Sequence, residues 1–71
     1  MSLSDALRRF RKYRGITQHQ AAEAAGVVDR LWQSYEYGKI NPGVDCLIKL
    51  SVHYGVSLDY IVGLSDDPVR R

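Results

Sequence analysis

The chain has 71 residues, of which 45% are hydrophobic and 25% are charged, and its formal net charge is +2. This length and composition predict one small domain, and no apolar stretch is long enough to span a membrane or to act as a signal peptide. The single cysteine, Cys46, excludes an internal disulfide, and His19 and His53 have no thiols near them at ligand spacing, so we expect a cytoplasmic protein without metal or cofactor.

The first helix is predicted to begin after Ser2 or Ser4, either of which can cap it, and to end at Gly15. Leu7 and Phe10 recur at helical spacing and should face the core. The basic residues of this segment crowd together: Arg8, Arg9, Arg11, Lys12 and Arg14. Such crowding indicates a surface that faces a polyanion, although a solvated helix face gives the same pattern.

Two short helices that meet at a tight corner are predicted next. Thr17 and Gln20 have the spacing of a capping box at the start of the second helix, which should cover residues 18–25. Ala22 is small enough for a close helix crossing, and Gly26 tolerates the positive φ that the corner needs. The pattern is typical of a helix-turn-helix, although an αα-hairpin in a small bundle would show it too.

The third helix is predicted to run to about Glu36 or Tyr37 and to end at Gly38. Its beginning is less well defined, because Val28 has no side-chain acceptor and stands where a Ser or Thr cap is expected. Asp29 could cap the helix one residue later.

The two faces of the third helix differ in character. Trp32 and Tyr35 are three residues apart and should anchor the helix to the core. The outward residues are Asp29, Arg30, Gln33 and Ser34. Polar side chains of this size, on a helix held from behind, could read base edges in a DNA major groove.

A loop over residues 39–43 is predicted from a proline that follows an asparagine between glycines. A fourth helix should then occupy about residues 44–54. Its predicted inner face consists of Val44, Leu47, Ile48, Leu50 and Tyr54.

Ser57 is the expected cap of a short last helix, whose apolar residues include Leu58, Ile61 and Leu64. Residues 65–71 look like a frayed tail, so the predicted domain covers residues 1–64. An enzyme is not expected, because no nucleophile, base and orienting group can be assembled and a small helical domain leaves little room for a pocket.

Three segments are distinctive in combination: GITQHQAAEAAGV, YEYGKINPG and LIKLSVHYGVSLDYIVG. In this order and at this spacing they resemble the Cro/repressor (Cro/C1-type, XRE) helix-turn-helix family, over about residues 3–64. The resemblance implies an all-α, five-helix, lambda-repressor-like domain. It also implies a transcriptional regulator, expected to be a repressor, that binds a pseudo-palindromic operator in double-stranded DNA as a homodimer.

The resemblance implies roles for individual residues. In a recognition helix at about residues 28–37, the base-contacting positions correspond to Val28, Asp29, Arg30, Gln33 and Ser34. The positions that contact the DNA backbone correspond to Gln18, Tyr37, Lys39 and Asn41. A partly buried ion pair corresponds to Arg11 and Glu36.

Two residues depart from the family pattern. Asp29 is unfavourable near phosphates unless it accepts a hydrogen bond from a cytosine amino group or is held by Arg30. Leu31 stands where a small polar residue is usual, and it could contact a thymine methyl group or a protein partner instead. The alternative function is therefore a protein-interaction module on the same fold, with Leu31 and Val28 docking onto a partner, or an antitoxin-like protein.

Two further sets of residues follow from the resemblance. The basic residues that could supply sequence-independent affinity for DNA are Arg8, Arg9, Lys12, Lys39 and Lys49. Family members often pair through the last helix, so the candidates for a dimer interface are Leu58, Tyr60, Ile61 and Leu64. The same four residues could equally close a small core.

Overall fold

Five helices build the domain in the computed structural model, which describes residues 1–70. They are α1 (Leu3–Arg14), α2 (Gln18–Ala25), α3 (Asp29–Glu36), α4 (Val44–Tyr54) and α5 (Leu58–Val62). α1 packs against α3 and α5, while α4 packs against α2 and α5. The predicted all-α fold of five helices is confirmed. Within residues 1–70, none of these helices is long and apolar enough to cross a membrane.

The beginnings and ends of α1 and α2 are set by local hydrogen bonds. The Asp5 amide donates to the Ser2 hydroxyl at 3.2 Å, so Ser2 caps α1. The capping box of α2 is complete, because the Gln20 amide donates to Thr17 Oγ1 at 3.1 Å and the Thr17 amide donates to Gln20 Oε1 at 2.8 Å. Gly26, with φ of 78°, ends α2 at the corner. The predicted capping box and glycine corner are confirmed.

The hydrophobic core lies at the centre of the domain and has residues from all five helices. Its largest fully buried side chains include Trp32, Phe10 and Leu50. The Trp32 and Tyr35 rings meet edge to face with their centroids 6.0 Å apart, a favourable aromatic geometry. Both aromatic residues are buried, as predicted, so α3 is held by its inner face.

The inner face of α4 differs from the predicted one. Val44 and Ile48 were expected inside but are 67% and 44% exposed. The buried residues of this helix are Cys46, Leu47, Leu50 and Ser51. Apolar residues lie on more than one side of α4, so helical periodicity alone fits several orientations, and packing against α2 and α5 selects one of them.

Residues 65–70 of the predicted frayed tail instead fold back onto the helices, and Arg71 lies outside the described residues. The Arg9 guanidinium donates to the carbonyl oxygens of Tyr60 and Ser65 at 2.8 and 2.9 Å, and to Asp66 Oδ1 at 2.9 Å. The same guanidinium lies over the Tyr60 ring, 3.9 Å from its centroid. Arg9 therefore ties the segment after α5 to α1.

A second attachment fixes the tail beside the beginning of α5. The Ser57 amide donates to the Pro68 carbonyl oxygen at 2.9 Å. Val56 and Val69 form an isolated antiparallel bridge. These contacts satisfy backbone groups that a free tail would leave to water.

The structure also corrects half of the predicted dimer interface. Tyr60 and Ile61 are 6% and 0% exposed, so they close the core rather than face a partner. The reason is that α5 has only five residues and packs on both α1 and α4. Leu58 is half-buried, whereas Leu64 is exposed.

Candidate nucleic-acid interface

The outer face of α3 carries the predicted base-contacting residues. Val28, Asp29 and Arg30 are exposed, and Gln33 and Ser34 are half-buried. The Ser34 hydroxyl donates to the Arg30 carbonyl oxygen at 3.2 Å, within the helix itself. All five side chains therefore lie around the first two turns of one helix, with its aromatic residues on the opposite face.

The N-terminus of α3 lacks a side-chain cap. Val28 is the N-cap residue, with φ of −75° and ψ of 157°, and its side chain is 70% exposed. Asp29 is the first helical residue, so it does not cap the helix from outside as the sequence allowed. Its carboxylate instead reaches across the corner to α2.

Asp29 pairs with His19, a residue that sequence analysis did not assign to the site. His19 Nδ1 lies 2.8 and 3.0 Å from the two Asp29 carboxylate oxygens. The hydrogen bond and charge of Asp29 raise the pKa of His19 above its usual value. Only the fold brings these residues together, since they lie ten positions apart on different helices.

The predicted ion pair between Arg11 and Glu36 is present and joins α1 to the end of α3. Arg11 Nε donates to Glu36 Oε2 at 2.8 Å, and Arg11 Nη2 donates to Oε1 at 3.2 Å. The Trp32 indole N–H and the Gln18 side-chain amide also donate to this carboxylate. Helices α1, α2 and α3 therefore meet at one buried acidic group.

The donors around Glu36 keep it ionised although it is only 1% exposed. Burial acts to raise the pKa of the Glu36 carboxyl, but the hydrogen bonds from Arg11, Trp32 and Gln18 outweigh it and hold this pKa below its usual value. A buried charge paired in this way fixes the orientation of the groups that contact it.

The residues predicted to contact the DNA backbone lie at the two ends of the helix-turn-helix. Gln18 is the first residue of α2, and its side chain donates to Glu36 Oε1 at 3.3 Å, so part of its hydrogen-bonding capacity is used internally. Tyr37, Lys39 and Asn41 are exposed in the segment after α3.

Two of the five predicted basic contributors make contacts within the protein. Arg8 donates to the Glu36 carbonyl oxygen and to Asp5, and Arg9 holds the tail. Lys12, Lys39 and Lys49 are exposed. Fewer basic groups are therefore free to contact a polyanion than the arginine-rich sequence of α1 indicates.

Leu31 is half-buried and packs against the core, so it offers less surface to a partner than the sequence suggested. Two other apolar residues near α3 are exposed: Val28 at its N-terminus and Ile40 in the loop that follows it. Leu31 is thus mainly a packing residue of α3.

The chain is similar in sequence to known helix-turn-helix proteins. A helix-turn-helix domain model matches residues 2–61. The chain belongs to the helix-turn-helix family. The Cro/repressor type indicated by the sequence is confirmed by relatives that are named as HTH-type transcriptional regulators.

Two curated relatives of this helix-turn-helix chain come from Bacillus subtilis strain 168. The chain is 42% identical over 62 residues to the uncharacterised HTH-type transcriptional regulator YobD, and 40% identical over 63 residues to the HTH-type transcriptional regulator ImmR. The alignments cover 87% and 89% of this chain but 55% and 50% of these relatives. The chain therefore spans about half the length of the curated relatives it matches.

A solved structure shares the fold. The crystal structure of a transcriptional regulator from Listeria innocua matches with a TM-score of 0.76 and 30% sequence identity. The match covers 93% of this chain and 62% of that chain. The five-helix arrangement around α2 and α3 is thus similar to that of a solved transcriptional regulator.

Proposed function

We propose that this chain is a sequence-specific transcriptional repressor that binds a pseudo-palindromic operator in double-stranded DNA as a homodimer, through α3, in the cytoplasm. One observation carries the proposal. The inner face of α3 is locked to the core through Trp32, Tyr35 and Glu36, while Arg30 and Gln33 lie on its accessible face. A helix held in this way can enter a major groove without losing its support.

Base recognition is assigned to Arg30 and Gln33. An arginine can donate two hydrogen bonds to guanine and a glutamine can pair with adenine, each worth about 1–3 kcal/mol of discrimination. Val28 can pack on a thymine methyl group beside them. The short Ser34 side chain contributes at the edge of the same surface.

Backbone contacts are assigned to the N-terminus of α2 and to the segment after α3. The free amides and positive dipole end at Gln18 favour a phosphate. Tyr37, Lys39 and Asn41 would hold the backbone at the other end of the helix-turn-helix. These groups set the position of α3 on the duplex without selecting a sequence.

The homodimer follows from the symmetry of the proposed operator, whose half-sites would lie about one helical turn apart. Of the predicted interface residues, Leu64 remains accessible and Leu58 partly so. Sedimentation equilibrium with and without operator DNA tests this part of the proposal. A single chain bound to each full operator would contradict it.

Selection of bound sites from a random DNA pool tests the function itself. The expected result is one enriched motif with two related half-sites, bound more tightly than random DNA by fluorescence anisotropy. Affinity should fall with salt by about 0.9 log unit per neutralised phosphate for each log unit of salt. An unenriched pool would overturn the proposal.

The alternative function is that of a protein-interaction module or an antitoxin-like protein. Of its two docking residues, Leu31 packs against the core, whereas Val28 is 70% exposed. Stoichiometric capture of a protein without measurable affinity for DNA would favour it instead.

A further inference from the structure

A histidine and two carboxylates lie together on the surface that carries the proposed base contacts. His19 Nδ1 faces Asp29 at 2.8 Å, and His19 Nε2 lies 3.6 Å from Glu23 Oε2. His19 is 67% exposed and Asp29 52% exposed at their side chains, and such exposed pairs add little to stability. In this pair the first carboxylate of α3 points towards α2.

Carboxylates of α2 and α3 face His19, and His53 and Lys49 of α4 lie against α2. Asp29 faces His19 from α3, and Glu23 faces it from one turn further along α2. From α4, His53 lines a shallow groove together with Glu23. The Lys49 ammonium lies 3.2 Å from where a Cβ atom at Gly26 would stand. The two carboxylates are thus the charged groups in direct contact with His19 in the described part of the chain.

We propose that His19 is a positioning residue for Asp29, and that the proton on its imidazole ring controls how tightly α3 binds DNA. This inference rests on the proposed function. Protonated His19 donates to Asp29, cancels its charge and keeps both carboxylate oxygens directed towards α2. Neutral His19 leaves Asp29 and Glu23 as uncompensated negative charges on a surface that must approach phosphates.

The direction of the pH effect follows from linkage. Asp29 raises the pKa of His19 in the free protein above its usual value near 6.5. The phosphates of bound DNA favour the imidazolium form and raise the pKa of His19 further, so DNA binding is accompanied by uptake of a proton. The affinity for DNA is therefore highest below the pKa that His19 has in the free protein. It falls as the pH rises from that pKa to the higher pKa of His19 in the DNA complex, by at most about tenfold per pH unit.

The test compares operator affinity from about pH 6, below the usual pKa of histidine, up to about pH 8.5 at constant ionic strength. The wild-type protein should lose affinity several-fold as pH rises. His19→Gln should bind weakly at every pH, because it leaves the Asp29 charge uncompensated. At about pH 8.5 its affinity should be close to that of the wild type. His53→Gln, the matched control on α4, should keep the wild-type profile. Asp29→Asn should bind more tightly than the wild type at the high end.

Two outcomes would overturn the inference while leaving the proposed function intact: a wild-type pH profile in His19→Gln, or the same flattened profile in His53→Gln. Absence of a preferred DNA sequence at any pH would instead overturn the proposed function. The pairing is tested without DNA by following the His19 ring protons by NMR. The pKa of His19 should be lower in Asp29→Asn than in the wild type, and equal values would also overturn the inference.

Discussion

Glu36 shows how one side chain can position a whole surface. Its carboxylate receives hydrogen bonds from Arg11 on α1, Gln18 on α2 and Trp32 on its own helix. In a buried site, removing one partner leaves the others without their acceptor, which costs more than the net value of the pair. Stability and DNA affinity should therefore both respond to this residue.

Glu36→Ala is expected to destabilise the protein by about 3–5 kcal/mol, because it leaves the Arg11 guanidinium uncompensated. Glu36→Gln keeps the shape and part of the hydrogen bonding, so its free energy of unfolding should lie between those of the alanine variant and the wild type. Urea unfolding measures both. Lys12→Ala is the control, since this exposed side chain should change stability by less than about 0.5 kcal/mol.

The pH dependence of stability provides a separate check on Glu36. Because the folded protein holds the pKa of this carboxyl below its unfolded value of 4.5, its ionised form favours the folded state above that value. The contribution should be lost as pH falls through the lower, folded pKa. Urea unfolding of Glu36→Gln should show a weaker loss of stability on acidification than the wild type, and parallel curves would contradict the assignment.

The proposed base-reading and backbone-contacting residues can be distinguished by how their substitutions act on different DNA sequences. Arg30→Ala and Gln33→Ala should each reduce the preference for operator over random DNA, by about 1–3 kcal/mol. Lys39→Ala should weaken binding to both DNAs alike and reduce the salt dependence. Anisotropy titrations with matched duplexes measure this, and equal losses on both DNAs for all three variants would refute the assignment.

At the scale of the element, α3 begins in the conformation of a capped helix but without the cap. Val28 has the extended φ and ψ of an N-cap residue, and its side chain makes no hydrogen bond to the first turn. The first-turn amides of α3 therefore have no side-chain acceptor at the N-cap, and the protein is less stable than it would be with a capped α3.

Val28→Thr is expected to stabilise the protein by about 0.5–2 kcal/mol, because its hydroxyl can accept from an amide of the first turn. Little packing is lost, since Val28 is 70% exposed. Thermal unfolding measures the effect, with Val28→Ala as the matched control that removes the side chain without supplying an acceptor. A threonine variant no more stable than the alanine variant would show that the cap does not form.

The sequence is most informative where a feature depends on neighbouring residues. The capping box of Thr17 and Gln20 and the positive φ of Gly26 are local, so their spacing is enough to predict them. The buried face of α4 and the pair of His19 with Asp29 depend on how separate helices pack. Such contacts leave no periodic signal in the chain, and the sequence does not specify them without the fold.

At the scale of the whole molecule, the segment after α5 is part of the domain. Arg9 and Asp66 are separated by most of the chain, and no local pattern predicts their contact. The 2.8 and 2.9 Å hydrogen bonds from Arg9 to carbonyl oxygens explain why the segment packs although it forms no helix. The predicted domain, which ended at residue 64, therefore leaves out a segment that packs against α1.

A chain ending after Leu64 is expected to lose about 1–3 kcal/mol of unfolding free energy, because Arg9 keeps few partners and the Ser57 amide loses its acceptor. Arg9→Gln in the full chain should reproduce part of this loss. Arg14→Gln provides a control at an exposed position of the same helix. Equal urea midpoints for the shortened and full chains would show that the tail contributes nothing.

The buried carboxylate of Glu36 has a consequence for how such proteins acquire new targets. The support of the reading surface and its chemistry are carried by different residues: Glu36 and Trp32 face inward, whereas Arg30 and Gln33 do not take part in that hydrogen-bonded cluster. Exchanging the outward pair should therefore reprogram the preferred operator while the scaffold is preserved. Under the proposed function, substitutions at these two positions should change specificity with little effect on folding.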